Sequence, residues 1–199
     1  MRVQIFLAVS LISATACAAK EPAADTYAPY VRNKGYEKTF KKWGNAGIAR
    51  INEYRRKAAF SAANSPTCDN VEYADLSDQR SSPPNTIVIF VDCTNGQRFY
   101  LSNVELDNQT NAVSNQTKTA RLNDVALIEA CELAVRQSLR FPSSLDKSWF
   151  TTRVERAQGG NVAVTFDFSA KNALGLSLPQ RARCITDDRG MSAPEISDR

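Results

Sequence analysis

Residues 86–101 read TIVIFVDCTNGQRFYL, and this stretch decides the fold. Thr86 to Val91 is a continuous β-branched and aromatic run, the composition expected of a central strand. Asn95-Gly96 follows Cys93 and Thr94 and precedes a second run, Gln97 to Leu101. Asn-Gly between two such runs is a strong hairpin signal, with positive φ expected at both turn positions. Upstream, Val71 to Leu76 predicts an edge strand, and residues 81–85 predict a loop rich in Ser and Pro. Further upstream the period changes from two to that of a helix. Ile48, Ile51, Ala58 and Ala62 form one stripe of a helix spanning about residues 46–63, supported by the Glu53/Lys57 pair and stopped by Asn64 and Pro66. Tyr36, Phe40 and Trp43 stand at i, i+4 and i+7 on a preceding helical region, with Gly44 and Asn45 as the break between the two.

Downstream, residues 107–119 (DNQTNAVSNQTKT) are polar and nearly free of large apolar groups, so residues 107–120 are expected to link two halves. The second half repeats the order of the first. A helix from Asn123 or Asp124 to about Arg140 carries Ile128, Cys131, Val135 and Leu139 on one face and ends at Phe141-Pro142. Trp149 to Arg156 predicts a strand, Gly159-Gly160 a turn, and residues 162–169 a half-buried strand with strict alternation. Leu174, Leu176 and Leu178 continue period two after a turn near Asn172, and Arg181 to Thr186 carries Cys184. The expected fold is α+β: two small helix-plus-antiparallel-sheet units, at residues 36–106 and 121–187, with a polar tail at 188–199.

The first eighteen residues read as a secretory leader. Arg2 is followed by an apolar run to Ala16 that is short for a membrane span. Ala14-Thr15-Ala16 and Ala16-Cys17-Ala18 both fit the cleavage rule. Ala14-Thr15-Ala16-Cys17 also resembles a bacterial lipobox, with Ala14 where Leu is usual. Cys17 is therefore either a lipid attachment point or a bystander near the cut. The expected location is the periplasm, with lipid anchoring to the outer membrane or outright secretion as alternatives. Residues 19–35, with Pro22, Pro29 and Gly35, are expected to form a tether. Cys68, Cys93, Cys131 and Cys184 remain, two in each half. In an exported chain they suggest two disulfides, and local pairing gives Cys68–Cys93 and Cys131–Cys184.

Parts of this pattern resemble known exported proteins. A cysteine in a helix, Pro-Ser-Ser, Ala-Lys-Asn-x-x-Gly and a closing cysteine mark a small domain of many exported bacterial proteins. Here they are Cys131, Pro142-Ser143-Ser144, Ala170-Lys171-Asn172-Ala173-Leu174-Gly175 and Cys184. The first half resembles a segment of uncharacterised proteobacterial proteins, through Trp43-Gly44, Cys68-Asp69, Val91-Asp92-Cys93 and Arg98-Phe99-Tyr100. Together these resemblances cover about 140 of the 199 residues. They imply fold and location and carry no activity.

The chain has no histidine, which excludes imidazole acid–base catalysis and imidazole metal ligation. Nothing in the sequence calls for a cofactor, a metal or nucleic acid. Ser144-Leu145-Asp146-Lys147 fits the Ser-x-x-Lys pattern of penicillin-recognising enzymes, although Ser144 follows a helix-breaking proline. Asp187-Asp188 stand beside Arg189 in what reads as an exposed, frayed tail, and Glu129/Glu132 sit one helical turn apart with Arg136 and Arg140 at hand, which predicts plain ion pairing on a solvated face.

Charge is more informative. Residues 20–60 hold ten Lys/Arg and four acids, net +6. The rest of the mature chain has 14 basic and 17 acidic residues, net −3, once Arg2 leaves with the leader. Lys34, Lys38, Lys41 and Lys42 lie beside Tyr36, Phe40 and Trp43. This basic, aromatic segment is expected to bind a protein partner or an anionic envelope surface. The alternative use of the three rings is to cover the sheet while the lysines keep the outer face soluble. Non-catalytic binding at the envelope is the leading expectation. A secreted inhibitor or immunity protein, or a histidine-free envelope hydrolase, stands behind it.

Overall fold

A computed structural model describes residues 20–32 and 35–199. In the N-terminal unit, strands β1 (Val71–Leu76), β2 (Val88–Cys93) and β3 (Arg98–Ser102) form an antiparallel sheet in that order. Helix α1 (Glu37–Ala63) lies across one face. Its buried positions include Ile48, Ile51, Ala58, Ala59 and Ala62, and the alanines let the helix axis approach the sheet closely. β2 is the central strand but is covered on one face only. Ile87, Ile89 and Val91 are fully buried under α1, while Val88 and Phe90 face outward and are half-buried. Gly44, with φ +66, kinks α1 where the sequence breaks its pattern.

The C-terminal unit places α4 (Asp124–Ser138) against a six-stranded antiparallel sheet. Its strands are β4 (Asp146–Lys147), β5 (Arg153–Arg156), β6 (Val162–Lys171), β7 (Ser177–Asp187), β8 (Gly190–Met191) and β9 (Glu195–Asp198). β6 and β7 pair along their whole length, from Val162↔Thr186 to Lys171↔Ser177. The expected strand over Trp149–Arg156 is shorter: Trp149–Thr151 is a turn of 3₁₀ helix, and only Arg153–Arg156 pairs with β6. The polar tail is ordered, because β9 adds to the edge of β7 with Arg183 opposite Glu195.

Both disulfides form as the local pairing predicts. Cys68–Cys93 closes 25 residues and ties the segment before β1 to the end of β2. Cys131–Cys184 closes 53 residues and pins α4 to β7. Two such bonds are the chemistry of a chain that matures in an oxidising, extracytoplasmic setting. Among the described residues, no helix is long and apolar enough to cross a membrane.

Three hairpin turns share one construction. In the turns at Cys93–Gln97, Ala157–Asn161 and Asn172–Leu176, the first residue's N–H donates to the fifth residue's carbonyl. The fourth residue is a positive-φ glycine, Gly96, Gly160 or Gly175. This is a three-residue loop with a glycine bulge. The expectation of two positive-φ positions at Asn95-Gly96 is therefore corrected. Only Gly96 has one, because the loop is one residue longer than a two-residue turn.

Two segments expected to be loose are packed. Residues 20–32 lie against β1 instead of trailing as a tether. Tyr30 is 6% exposed, its N–H donates to Asn52 Oδ1 at 2.9 Å, and its hydroxyl accepts from Leu76 N at 3.3 Å. Residues 107–120 contain α3 (Asn115–Thr119), capped by Ser114, after α2 (Asn103–Asp107) has left β3 through a Ser102/Glu105 capping box. α3 wedges between the two units. Gln116 Oε1 accepts from Arg98 N at 3.1 Å, and its amide donates to Gly96 O at 2.6 Å and also to Gln158 O. Asn115 Nδ2 donates to Gly159 O at 2.7 Å, and Thr119 Oγ1 donates to Gly160 O at 2.7 Å. The linker is thus a weld between the first hairpin turn of one sheet and that of the other.

Candidate functional site

The first two turns of α1 carry the charged segment. Its three aromatic residues turn inward. Trp43 is 7% exposed. Tyr36 is half-buried and stacks on Tyr30 with ring centroids 4.0 Å apart. Phe40 is half-buried with the Arg32 guanidinium 5.4 Å from its ring. The rings pack against the end of the core, with Tyr36 and Phe40 lying beside the buried cluster that contains Trp43. Lysines occupy the opposite side of the helix. Lys38 and Lys41 are exposed and have no ion-pair partner among the described residues. Lys42 sits 3.8 Å from Asp78 and 6.0 Å from the Trp43 ring centroid. Of the seven contact residues expected from sequence, Lys38, Lys41 and Lys42 form a solvated cationic face, and Tyr36, Phe40 and Trp43 pack beneath it. Lys34 and Cys17 lie outside the described residues.

Under this face sits a buried polar cluster that periodicity did not reveal. Arg55 occupies a position on the inner stripe of α1 and is 2% exposed. Its Nε donates to Ala74 O at 2.9 Å and its Nη1 to Ala28 O at 2.5 Å. Its guanidinium lies 4.3 Å from the Tyr30 ring centroid and 3.5 Å from Asp75 Oδ1. Asp75 also accepts from Tyr73 OH and, at 2.8 Å, from Leu76 N. Burial pushes the Asp75 carboxyl up to about 6, against the pull of the Leu76 N–H. Burial also lowers the Arg55 pKa and raises that of Tyr73. The cluster holds the N-terminal strap onto β1, since Arg55 supplies the donors that Ala28 and Ala74 carbonyls need at that edge.

The remaining chemistry-bearing motifs resolve into structural ties. Ser144 Oγ donates to Phe141 O at 2.7 Å and accepts from Lys171 N at 3.0 Å. The Lys147 side chain runs the other way, bonding Glu132 beneath the Trp149 ring with Nζ 3.7 Å from its centroid. The Ser-x-x-Lys residues therefore share no hydrogen bond. Glu132 also accepts from Arg136 at 2.8 Å, and these bonds, Lys147 first, hold its pKa down. Asp187 and Asp188, expected in an exposed tail, grip Arg80 of the other unit at 2.8 and 2.7 Å. Arg80 lies 3.3 Å above the Tyr100 ring centroid, and Lys118 adds a contact to Asp188 at 3.3 Å. No local signal reveals this clamp, because its partners are separated by 107 and 108 residues.

A cleft of about 580 Å³ lies between the end of α1 and residues 106–113, and no titratable side chain lines it. Among the described residues, no group of three or more Cys, Asp or Glu is gathered as for a metal. No protein-family model, curated protein or solved structure matches the chain.

Proposed function

We propose that the protein is a non-catalytic bacterial envelope protein that docks on an anionic partner, protein or envelope polymer, through the lysine face of α1. The observation that carries this reading is the exposure of unpaired Lys38 and Lys41 within a segment of net +6. With Tyr36, Phe40 and Trp43 committed to the core, the contact is electrostatic and involves no aromatic insertion. The reading therefore entails strong screening by salt. The two disulfides and the α3 weld support it by holding the face on a rigid body, so that little ordering entropy opposes docking.

The test is co-sedimentation of residues 20–199 with isolated envelope fractions. Binding should be lost in Lys38→Glu/Lys41→Glu/Lys42→Glu and at about 0.5 M salt. Retention unchanged by both would overturn the proposal.

A further inference from the structure

The exposed apolar residues Leu174, Leu176 and Leu178 lie on and beside the β6–β7 hairpin tip, at 82%, 59% and 40% exposure. This tip stands at the opposite end of β7 from the contact with the other unit. β7 runs eleven residues from Ser177 to Asp187, and Asp187 is the residue that Arg80 of the other unit grips. At roughly 3.3 Å per residue the tip stands about 30 Å from that junction. The turn is stiff, because Asn172 Oδ1 accepts from both Leu174 N at 2.9 Å and Leu176 N at 3.0 Å. Phe141, also exposed, flanks the tip across a cleft of about 490 Å³ that Ser144 and Lys171 line. Two cations stand beside these side chains. Arg140 lies 5.9 Å from the Phe141 ring centroid, and Lys171 precedes the turn. Neither has an ion-pair partner among the described residues, and Asp146 is the one acid lining the cleft.

An exposed apolar tip beside unpaired cations suits a soft anionic surface better than a preformed protein hollow. We propose that the β6–β7 hairpin tip is a membrane-docking element. It sinks Leu174 and Leu176 into the headgroup–acyl boundary of an anionic bilayer, with Arg140 and Lys171 against lipid phosphates. This contact is made by the end of the C-terminal unit remote from the junction and is independent of the α1 lysine face.

The test is flotation of residues 20–199, which contain every contact described above, with two kinds of vesicle. One is phosphatidylcholine alone; the other contains roughly one-third phosphatidylglycerol. The protein should float with the anionic vesicles. Leu174→Ser/Leu176→Ser and Arg140→Glu/Lys171→Glu should each weaken binding about tenfold or more. These side chains are solvent-facing, so unchanged thermal unfolding checks that the variants fold. Leu176→Trp should shift its emission to the blue on binding, and should still do so when Lys38 and Lys41 are changed to Glu. Failure to float, flotation unchanged by the leucine pair, or an unshifted Trp emission would each overturn the proposal. None of these results bears on docking through α1.

Discussion

Gly160 and Gly175 form a matched pair that isolates the α3 weld. Both occupy the same position of the same turn, with φ of +83° and +79°. A Cβ at Gly175 would meet nothing within 4 Å. A Cβ at Gly160 would lie 2.5 Å from Gln116 N and 2.7 Å from Asn115 C, both backbone atoms of α3. Gly175→Ala therefore carries only the left-handed strain of an L-residue, offset in part by the stiffer unfolded chain, for a net loss of about 1 kcal/mol. Gly160→Ala carries the same strain and must also push α3 away. That breaks the bonds from Asn115 Nδ2 to Gly159 O and from Thr119 Oγ1 to Gly160 O. At about 1 kcal/mol each, with buried polar groups left unpaired, the total loss is about 4 kcal/mol. The assay is urea unfolding followed by circular dichroism. A gap of about 3 kcal/mol between the two variants is on the order of 1.5 M in midpoint for a slope near 2 kcal/mol/M. Equal losses would refute the claim that the linker is a packed structural element.

Three further outcomes follow from particular contacts. The folded Asp75 carboxyl titrates at about 6, above the ordinary 3.8, so the folded state holds its proton more tightly than the unfolded one. Its contribution is therefore most favourable below pH 4 and declines as pH rises through 6. Asp75→Asn should flatten stability between about pH 4 and 6 and gain about 1–2 kcal/mol above that window, the full shift being discounted for the nearby Arg55; a loss at pH 7.5 in thermal unfolding would contradict this. Replacing Cys131 and Cys184 by Ala should cost roughly 4 kcal/mol, and Cys68 with Cys93 roughly 3.5, from the 53- and 25-residue loops released; denaturant titration checks the order. Arg80→Ala should cost about 2–3 kcal/mol, because Lys118 and Arg189 still compensate Asp188 and Asp187. Hydrogen exchange should then rise at residues 187–190 and stay unchanged in α1.

What the sequence revealed was local. β1, the Gly44 kink, the buried stripe of α1 and both disulfide pairs follow from period, composition and cysteine position, each a property of neighbours along the chain. What escaped was set by distant partners. Residues 107–120 look like linker because their stabilising bonds use Asn, Gln and Thr side chains on backbone carbonyls, which leave no hydrophobic period. Residues 20–32 look like a tether because their anchors, Tyr30 and the Ala28 carbonyl held by Arg55, meet partners distant in the chain and leave no local period. Asp187-Asp188 looks like a frayed tail because Arg80 arrives from the other unit. The lysines of the candidate face were legible as charge. The orientation of Tyr36, Phe40 and Trp43 was not, since i, i+4, i+7 spacing gives a common face without saying what covers it.

The central functional claim is docking through Lys38 and Lys41, and site-specific photo-crosslinking in intact cells tests it most directly. A crosslinker placed at residue 41 should join the protein to a discrete anionic component. The product should vanish at about 0.5 M salt and when Lys38 and Lys42 are changed to Glu. A control crosslinker at Glu129, on the exposed face of α4, should give no such product. Equal products at both positions, or none at residue 41, would contradict the account.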